Sequence, residues 1–568
     1  MISIEKIVHG YRDIGMFDNS YSTKSFGGSG NCQVNVNCPE GADWQDEKNA
    51  VALILVNGVR WCSGSLIINS CMDDRAYFLT ADHCLGPVDA DEITNPNLFQ
   101  WSFYWHYESP ECANPSTQPP ILATSGAVVV ANNHQTDFAL LELIEHPRDK
   151  TGVNPYFLGW DRSGNAGTGG VGIHHPRGDL KKISTYSGTP TNSTCLGGVN
   201  HLFWQTGFDA TQNGHSIPEP GSSGSPLINS DSRVIGQLWG PGNCPAELCN
   251  TAPELEVVSY GKFDVSWTGS NHADVRRRLD HWLHPGGGTA PSTMDGKGYT
   301  AISGPDFLCS TNTFTLQNTL AGSTVSWSAS PAGMAGISGS GNSVNLTPQG
   351  NGQVTLTATI STDCGDVEVQ KTFVTATGPI PTSAISLEPF ESSPYVCPNQ
   401  TFGFHPGPNE PWYQYEVQVV NGHYTEVNHG YFWIHFNNYI PSPPYPLVYD
   451  AGVSVRIHNG CSWSDWKPVS MYTEPSCAGG GCELCFLTFP NPADEELQVH
   501  WNPQVKRTAG DDPGFDVQFY DQRGKILFSQ SGISEKISLE TRKFKNGFYY
   551  LHIRYKEGLI RRQIRVER

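Results

Sequence analysis

Charge is scarce in this chain. Asp, Glu, Lys and Arg make up only 16% of its 568 residues, against about a quarter in ordinary soluble domains. Cations are scarcer still, with 35 basic against 55 acidic side chains and a formal net charge of -20. Nucleic acids and anionic membranes attract basic surfaces, so neither is expected as a partner. No run reaches the roughly 18 apolar residues of a membrane span, so no transmembrane segment is expected. The opening MISIEKIVHGYRDIGMF is broken by Glu5, Lys6, His9, Arg12 and Asp13 and does not read as a signal peptide. Either export is absent or the chain begins inside a longer precursor. Metal-ligand spacing is also missing: Cys482 and Cys485 form a CxxC without a second pair. They read as a linker disulfide in a Gly-rich connector with Cys477, and no metal site is expected.

Turn formers and β-formers are abundant instead. There are 60 glycines and 40 prolines, well above the ordinary share of about 12% for the two together. With many Thr, Val, Tyr and Trp residues, that composition predicts β-barrels and β-sandwiches, and the length suggests about three to five domains. Sixteen cysteines, mostly far apart, point to disulfides and an oxidising compartment. Strand-like runs at 50–56, 77–81, 127–131 and 138–143 alternate with turn clusters. The spacing of Val275, Leu279, Trp282 and Leu283 predicts a helix over 273–283, stopped by Pro285 and Gly286.

The expected division is therefore as follows. Residues 1–24 are a propeptide remnant, 25–285 the first large β unit, and 286–298 a Gly/Pro-rich linker. Residues 299–380 and 381–476 are two β-sandwiches, each stapled by its own cysteine pair, Cys309 with Cys364 and Cys397 with Cys461. A linker over 477–486 precedes a last all-β unit, 487–568. Trp327, Trp412, Trp433, Trp463 and Trp466 are read as sandwich core rather than a glycan-stacking face.

Three short strings carry chemistry: Leu79-Thr80-Ala81-Asp82-His83-Cys84, Thr136-Asp137-Phe138-Ala139-Leu140-Leu141 and Glu219-Pro220-Gly221-Ser222-Ser223-Gly224-Ser225-Pro226. A serine hydroxyl is a poor nucleophile until an imidazole takes its proton and a buried carboxylate orients that imidazole. His83, Asp137 and Ser223 supply one of each, in the chain order of chymotrypsin-like enzymes. The glycines around Ser223 suit an oxyanion hole built from the N–H groups of Gly221 and Ser223. The expected reaction is peptide hydrolysis through an acyl-enzyme, with no cofactor. The alternative is a non-catalytic surface adhesin or glycan-binding protein on a protease scaffold.

Residues 30–285 resemble lysyl endopeptidases, through CQVNVNCPEG (32–41), WCSGSLIINS (61–70), FLTADHC (78–84), TDFALLEL (136–143), GIHHP (172–176), EPGSSGSP (219–226) and YGKFDVSW (260–267). The resemblance implies a double β-barrel with the site between barrels, protein or peptide substrates, and three disulfides: Cys32–Cys244, Cys38–Cys112 and Cys62–Cys84. Of the cysteines left in this unit, Cys195 is expected to pair with Cys249, leaving Cys71 free or paired elsewhere. Segment 299–380 resembles immunoglobulin-like repeats. Residues 487–568 resemble the C-terminal sorting domain of type IX secretion cargo, in Phe489-Pro490-Asn491-Pro492-Ala493, Asp521-Gln522-Arg523-Gly524-Lys525 and Gly547-Phe548-Tyr549-Tyr550-Leu551. That resemblance implies the type IX machinery as a partner and a secreted or cell-surface location, and it favours a chain that begins inside a longer precursor.

The specificity pocket departs from the family. Lysyl endopeptidases carry an acidic residue where this chain has Val258, and a histidine where it has Trp239. Glu256 and Glu254 lie two and four residues before Val258, on one face if the segment is a strand. Glu256 is the expected source of a residual preference for basic residues.

Overall fold

The computed structural model describes residues 26–567 apart from 57, 59, 87–95, 245–248, 250–251, 320–322, 363, 393–394, 397–400, 438–450, 474–485, 490–492, 494, 502–513, 522–524 and 556–557. The propeptide reading of 1–24, nearly all of the 477–486 connector, and Cys397, Cys477, Cys482 and Cys485 lie outside the described residues, as do Pro490-Asn491-Pro492 and Gln522-Arg523-Gly524.

The fold is all-β: a double barrel built from a 7-stranded and a 9-stranded sheet, followed by β-sandwiches. The first barrel uses β1 (Val51–Val56), β2 (Arg60–Leu66), β3 (Tyr77–Ala81), β4 (Ser102–Trp105), β5 (Leu122–Ser125), β6 (Ala127–Asn133) and β7 (Phe138–Leu143). They form one antiparallel sheet in the order β5-β4-β1-β2-β3-β7-β6. Strands β1 and β3 are buried along their whole length, which is why VALILV and YFLTA read as continuous apolar runs rather than alternating ones. Phe78 packs edge-on against Phe103 and Trp105 at 5.1 and 6.0 Å. Each buried ring contributes roughly 1.5–3 kcal/mol.

The second barrel begins after β8 (Tyr156–Phe157). It contains β9 (Gly159–Asp161), β10 (Gly170–His174), β11 (Lys182–Tyr186), β12 (Thr191–Asn192), β13 (Phe203–Thr206), β14 (Pro226–Asn229), β15 (Arg233–Gly240) and β16 (Val258–Lys262). Its sheet runs β11-β10-β14-β15-β16-β13-β12, with β9 attached to β15. One apolar core continues between the barrels, joining Phe78, Phe138 and Leu140 to Trp160, Ile173 and Ile228.

The helix expected over 273–283 is broken. A 3-10 turn covers Val275–Arg277, Arg278 is extended, and a four-residue helix covers Asp280–Leu283. Tertiary partners take the groups that would continue the helix. The Arg277 carbonyl accepts from Asn133 Nδ2 at 3.0 Å, and the buried Arg277 guanidinium reaches Asn132 Oδ1 at 3.1 Å. The segment read as a linker is docked: Thr293–Met294 pairs with β9, and Lys297–Gly298 pairs with β8.

Two sandwiches follow. In the first, a sheet of 301–303, 312–317, 343–348 and 335–340 faces a sheet of 307–308, 365–375, 352–362 and 324–330, around Phe314, Leu346, Leu356 and Phe373. The second closes around Phe404, Phe432, Ile434 and Val455. The last unit packs two more sheets around Phe486, Val517, Phe519 and Leu551.

The expected stapling of each sandwich is wrong. Cys364 pairs with Cys71 of the first barrel, and Cys309 pairs with Cys461 of the second sandwich. Leu308 registers with Thr375, whereas Cys364 sits at the tip of the 352–362/365–375 hairpin. Ten residue steps along the strand separate Thr375 from Gly365, roughly 33 Å at about 3.3 Å each. A disulfide tolerates about 7 Å between Cα atoms. Cys71, unassigned within its own unit, thus pairs elsewhere. The tryptophans also differ from expectation: Trp327 is only partly buried, Trp433 is 43% exposed, and Trp463 and Trp466 lie 4.8 and 4.9 Å from the Arg456 guanidinium. Trp433 points outward because its neighbours Phe432 and Ile434 point into the core.

Candidate active site

His83 lies in a 3-10 turn, Asp82–Leu85, directly after β3. Asp137 lies directly before β7, and β3 pairs with β7 from Ala81↔Phe138 onward. The strand register therefore brings the two residues together. Asp82 N donates to Asp137 O at 2.9 Å. The Asp137 carboxylate accepts from His83 N at 2.9 Å and meets His83 Nδ1 at 2.8 Å. To present that carboxylate, Asp137 takes a left-handed conformation at φ 57°, which Asp tolerates better than most residues. The two side chains differ in exposure, 2% for Asp137 and 38% for His83. Burial pushes the Asp137 carboxyl up from its ordinary range, opposed by the bonds from His83. A disulfide, Cys62–Cys84, braces the His83 turn against β2.

Ser223 arrives from the second barrel, on the loop before β14. Its carbonyl accepts from Ser63 N at 2.8 Å and lies 3.9 Å from Cys84 Sγ. The nucleophile candidate is thereby tied to β2 and to the residue after His83. Among the described residues its hydroxyl makes no hydrogen bond; the serine–imidazole contact is often loose without substrate. Around it the loop is held from both barrels. Ser63 Oγ donates to Gly221 O at 2.9 Å, Arg177 N to Pro220 O at 2.7 Å, and Gly224 N to Leu238 O at 2.9 Å. Gly221 and Gly224 have φ of 102° and 82°. A Cβ on Gly224 would come within 2.2 Å of Thr80 Oγ1 and 2.5 Å of Ser63 O, so the loop approaches β2 and β3 only with glycine there. Gly221 and Ser223, the two oxyanion-hole candidates, flank Ser222, whose N–H is taken by Glu219 O at 2.9 Å.

Gln237 Nε2 donates to Thr136 O at 2.8 Å, next to Asp137. Sequence reasoning passed over this residue, although it stands in the Gly-Gln-Leu string before Trp239. Trp239 is half-buried on β15 and packs edge-on against Phe203 at 6.4 Å. Val258 opens β16 and is buried with Trp204, Leu238 and Tyr260. Glu254 and Glu256 precede that strand. Glu254 lies exposed in the 3-10 turn Pro253–Leu255, while Glu256 is buried. They do not share a strand face as expected. Burial raises the Tyr260 phenol well above its usual range, and the Glu256 charge adds to that rise. Among the described residues no group of three or more His, Cys, Asp or Glu side chains is placed to hold a metal ion. None of the described helices is long and apolar enough to cross a membrane.

Two disulfides near the site are exchanged relative to expectation. Cys32 pairs with Cys249, and Cys195 with Cys244, while Cys38–Cys112 and Cys62–Cys84 form as expected. The turn after β15 explains the exchange: Asn243 N donates to Cys195 O at 2.7 Å, which sets Cys244 beside Cys195.

Residues 26–253 match the family model described as lysyl endopeptidase, C-terminal domain, and residues 487–567 match the secretion system C-terminal sorting domain. Among curated proteins, the chain is 31% identical to karilysin of Tannerella forsythia over 284 residues, 48% of this chain and 54% of that protein. It is 29% identical to lysyl endopeptidase of Pseudomonas aeruginosa over 256 residues, 42% and 49% of the two chains. The chain thus spans about half the length of the curated relatives it matches. Solved structures that align with it include the VesB protease of Vibrio cholerae (13% identity, TM-score 0.25, 60% of this chain and 98% of that one) and a Glu endopeptidase (17%, 0.25, 42% and 93%). The sorting domain indicates export, to the cell surface or the medium. The chain is thus similar to lysyl endopeptidases over residues 26–253 and to secretion-system C-terminal sorting domains over 487–567, with two β-sandwiches between them.

Proposed function

We propose that this chain is an exported serine endopeptidase, with Ser223 as nucleophile, His83 as general base and Asp137 as the carboxylate that orients it. The observation that carries the reading is the double hold of Asp137 on His83, at 2.9 and 2.8 Å, beside a Ser223 segment bonded to β2. Asp137 accepts the hydrogen bond of His83 Nδ1–H, which leaves Nε2 as the base. His83 removes the Ser223 proton as Oγ attacks the peptide carbonyl. Charge moves to the carbonyl oxygen, where the N–H groups of Gly221 and Ser223 receive it. His83 then returns the proton to the leaving amine, and water releases the acyl group by the same steps in reverse roles. This route uses no cofactor. The partners proposed are protein or peptide substrates and the type IX export machinery, with residues 25–285 as the catalytic unit, 299–476 as accessory modules and 487–568 as the sorting tail.

Preference for basic residues is proposed to rest on Glu256. Val258 cannot pair an ammonium group, and leaving a substrate charge unpaired in an apolar pocket costs several kcal/mol. Glu254 is exposed, whereas Glu256 is buried and its charge acts on the buried Tyr260. Trp239 supplies apolar wall. A fluorophosphonate probe tests the catalytic reading: wild type is expected to label and to hydrolyse peptides, and Ser223→Ala to do neither. A wild-type chain that does neither would leave the adhesin reading in its place.

A further inference from the structure

Behind the nucleophile loop lies a closed ring of buried hydrogen bonds that the reaction above does not use. It starts at His174, the first histidine of the GIHHP string, on β10. His174 Nδ1 meets Ser222 Oγ at 2.7 Å, and Nε2 meets Ser184 Oγ at 2.9 Å. Ser184 Oγ donates to Ser216 Oγ at 3.2 Å, and Ser216 Oγ to Gln33 Oε1 at 2.8 Å. Gln33 Nε2 donates to Ile217 O at 2.6 Å and to Glu219 Oε2 at 3.1 Å. Glu219 N donates back to Ser222 Oγ at 3.2 Å, which closes the ring.

The donors leave one consistent arrangement of protons. Ser184 spends its proton on Ser216, so it accepts from His174, and Nε2 carries the hydrogen. Nδ1 then accepts from Ser222, whose oxygen also accepts from Glu219 N. Every hydrogen runs one way round, from Ser222 to a buried carboxylate, an order in which each bond polarises the next. Burial, with the Lys182 charge adding to it, holds His174 down to about 3, so the imidazole stays neutral and the arrangement holds at ordinary pH.

Three separate parts of the chain meet here. Glu219 and Ser222 belong to the loop that bears Gly221 and Ser223. His174 and Ser184 lie on β10 and β11. Gln33 comes from the first described segment, which is itself held down by the loop and its surroundings: Gly27 N donates to Asp179 Oδ1 at 2.8 Å and Gly30 N to Glu219 Oε2 at 2.9 Å. Ser222 sits between the two candidate oxyanion donors, so whatever fixes its side chain limits rotation of both flanking peptide groups.

We propose that His174 is a positioning residue: through Ser222 it holds the Gly221–Ser223 turn in the oxyanion-binding conformation, and Gln33 completes the hold from the first segment. This rests on the serine-endopeptidase reading. It assigns His174 no contact with substrate.

The test compares Ser222→Ala and His174→Leu with wild type, on a fluorogenic peptide chosen from the wild-type digest of a peptide library. Three quantities are read: kcat and KM, inhibition by a peptide aldehyde, which binds as a tetrahedral adduct, and inhibition by the corresponding product peptide, which does not. Displacing the donors by a fraction of an ångström to one ångström is expected to lower kcat by about 10- to 100-fold. KM and product inhibition should stay within about threefold, and aldehyde affinity should fall in step with kcat/KM. A kcat within twofold of wild type in Ser222→Ala overturns the proposal. So does an equal loss of aldehyde and product binding, which marks general disorder of the site. His174→Leu leaves polar partners buried; should it fail to fold, Ser222→Ala, which removes one hydroxyl, decides. If wild type neither labels with fluorophosphonate nor hydrolyses peptides, the endopeptidase reading fails and the positioning role falls with it; loss confined to the variants' kcat supports both.

Discussion

Asp137 grips His83 twice, once at the backbone N–H and once at Nδ1, at 2.9 and 2.8 Å. One carboxylate thereby sets both the turn that carries the imidazole and the orientation of its ring. Asp137→Asn should keep the fold, because Asn also tolerates the left-handed conformation seen at φ 57°. It should lose the correct tautomer, and kcat should fall by about 10⁴-fold. Equal thermal midpoints with near-wild-type turnover would dismiss the orienting role.

Specificity offers a sharp test of the buried Glu256. In a peptide-library digest read by mass spectrometry, wild type is expected to cut after Lys or Arg more often than after apolar residues. Glu256→Gln should erase most of that bias while still cutting. Retention of the bias in the variant, or apolar preference in wild type, would show that Glu256 does not reach the substrate.

Non-reducing peptide mapping of the intact chain should return Cys71–Cys364, Cys309–Cys461, Cys32–Cys249 and Cys195–Cys244 peptides. A Cys195–Cys249 or Cys309–Cys364 peptide would contradict the arrangement described above.

Acid should weaken the double barrel through Glu108. Burial alone would raise this carboxyl, but the charges of Lys181 and Lys48 outweigh burial and hold it down to about 2. A lowered carboxyl stabilises the folded chain above its ordinary value near 4.5 and loses that contribution as pH falls toward 2. Burial lowers Lys181 as well, against the pull of Glu108, so the pair as a whole is worth less than the carboxylate's shift alone. Glu108→Gln should lower the thermal midpoint at neutral pH, and the gap from wild type should close between about pH 4.5 and 2. A gap that is constant across that range would count against the ion pair.

Removing residues 487–568 should leave peptidase activity in purified protein within about twofold, since none of the proposed triad residues lies there and domains of this kind fold as units. Delivery to the surface in the native host should be lost. The tail does touch the second sandwich, through Phe548 stacked on Tyr431 at 5.2 Å, so accessory-module stability is the property more exposed to the deletion.

What the linear chain determined by itself is the set of local patterns: unbroken apolar runs that make buried strands, glycines where the nucleophile loop must approach β2 and β3, and the three strings that hold His83, Asp137 and Ser223. The runs and strings are visible in order along the chain, as is the presence of the glycines, though the closeness of Gly224 to Thr80 and Ser63 is not. Only the tertiary structure decided the rest. Cysteine partners follow from which turn lies over which strand, so Cys244 fell to Cys195 and Cys364 to Cys71 across a separation of 293 residues. The helix over 273–283 gave way because Asn132 and Asn133, far away in sequence, took the groups of Arg277. Trp433 stayed outside its core because strand alternation assigned the inner positions to Phe432 and Ile434. The ring through His174 joins residues from three parts of the chain, and hydrogen bonding between distant side chains leaves no periodicity or spacing to read. Local order is written in adjacent residues; partnership at long range is set by how the sheets curl and meet.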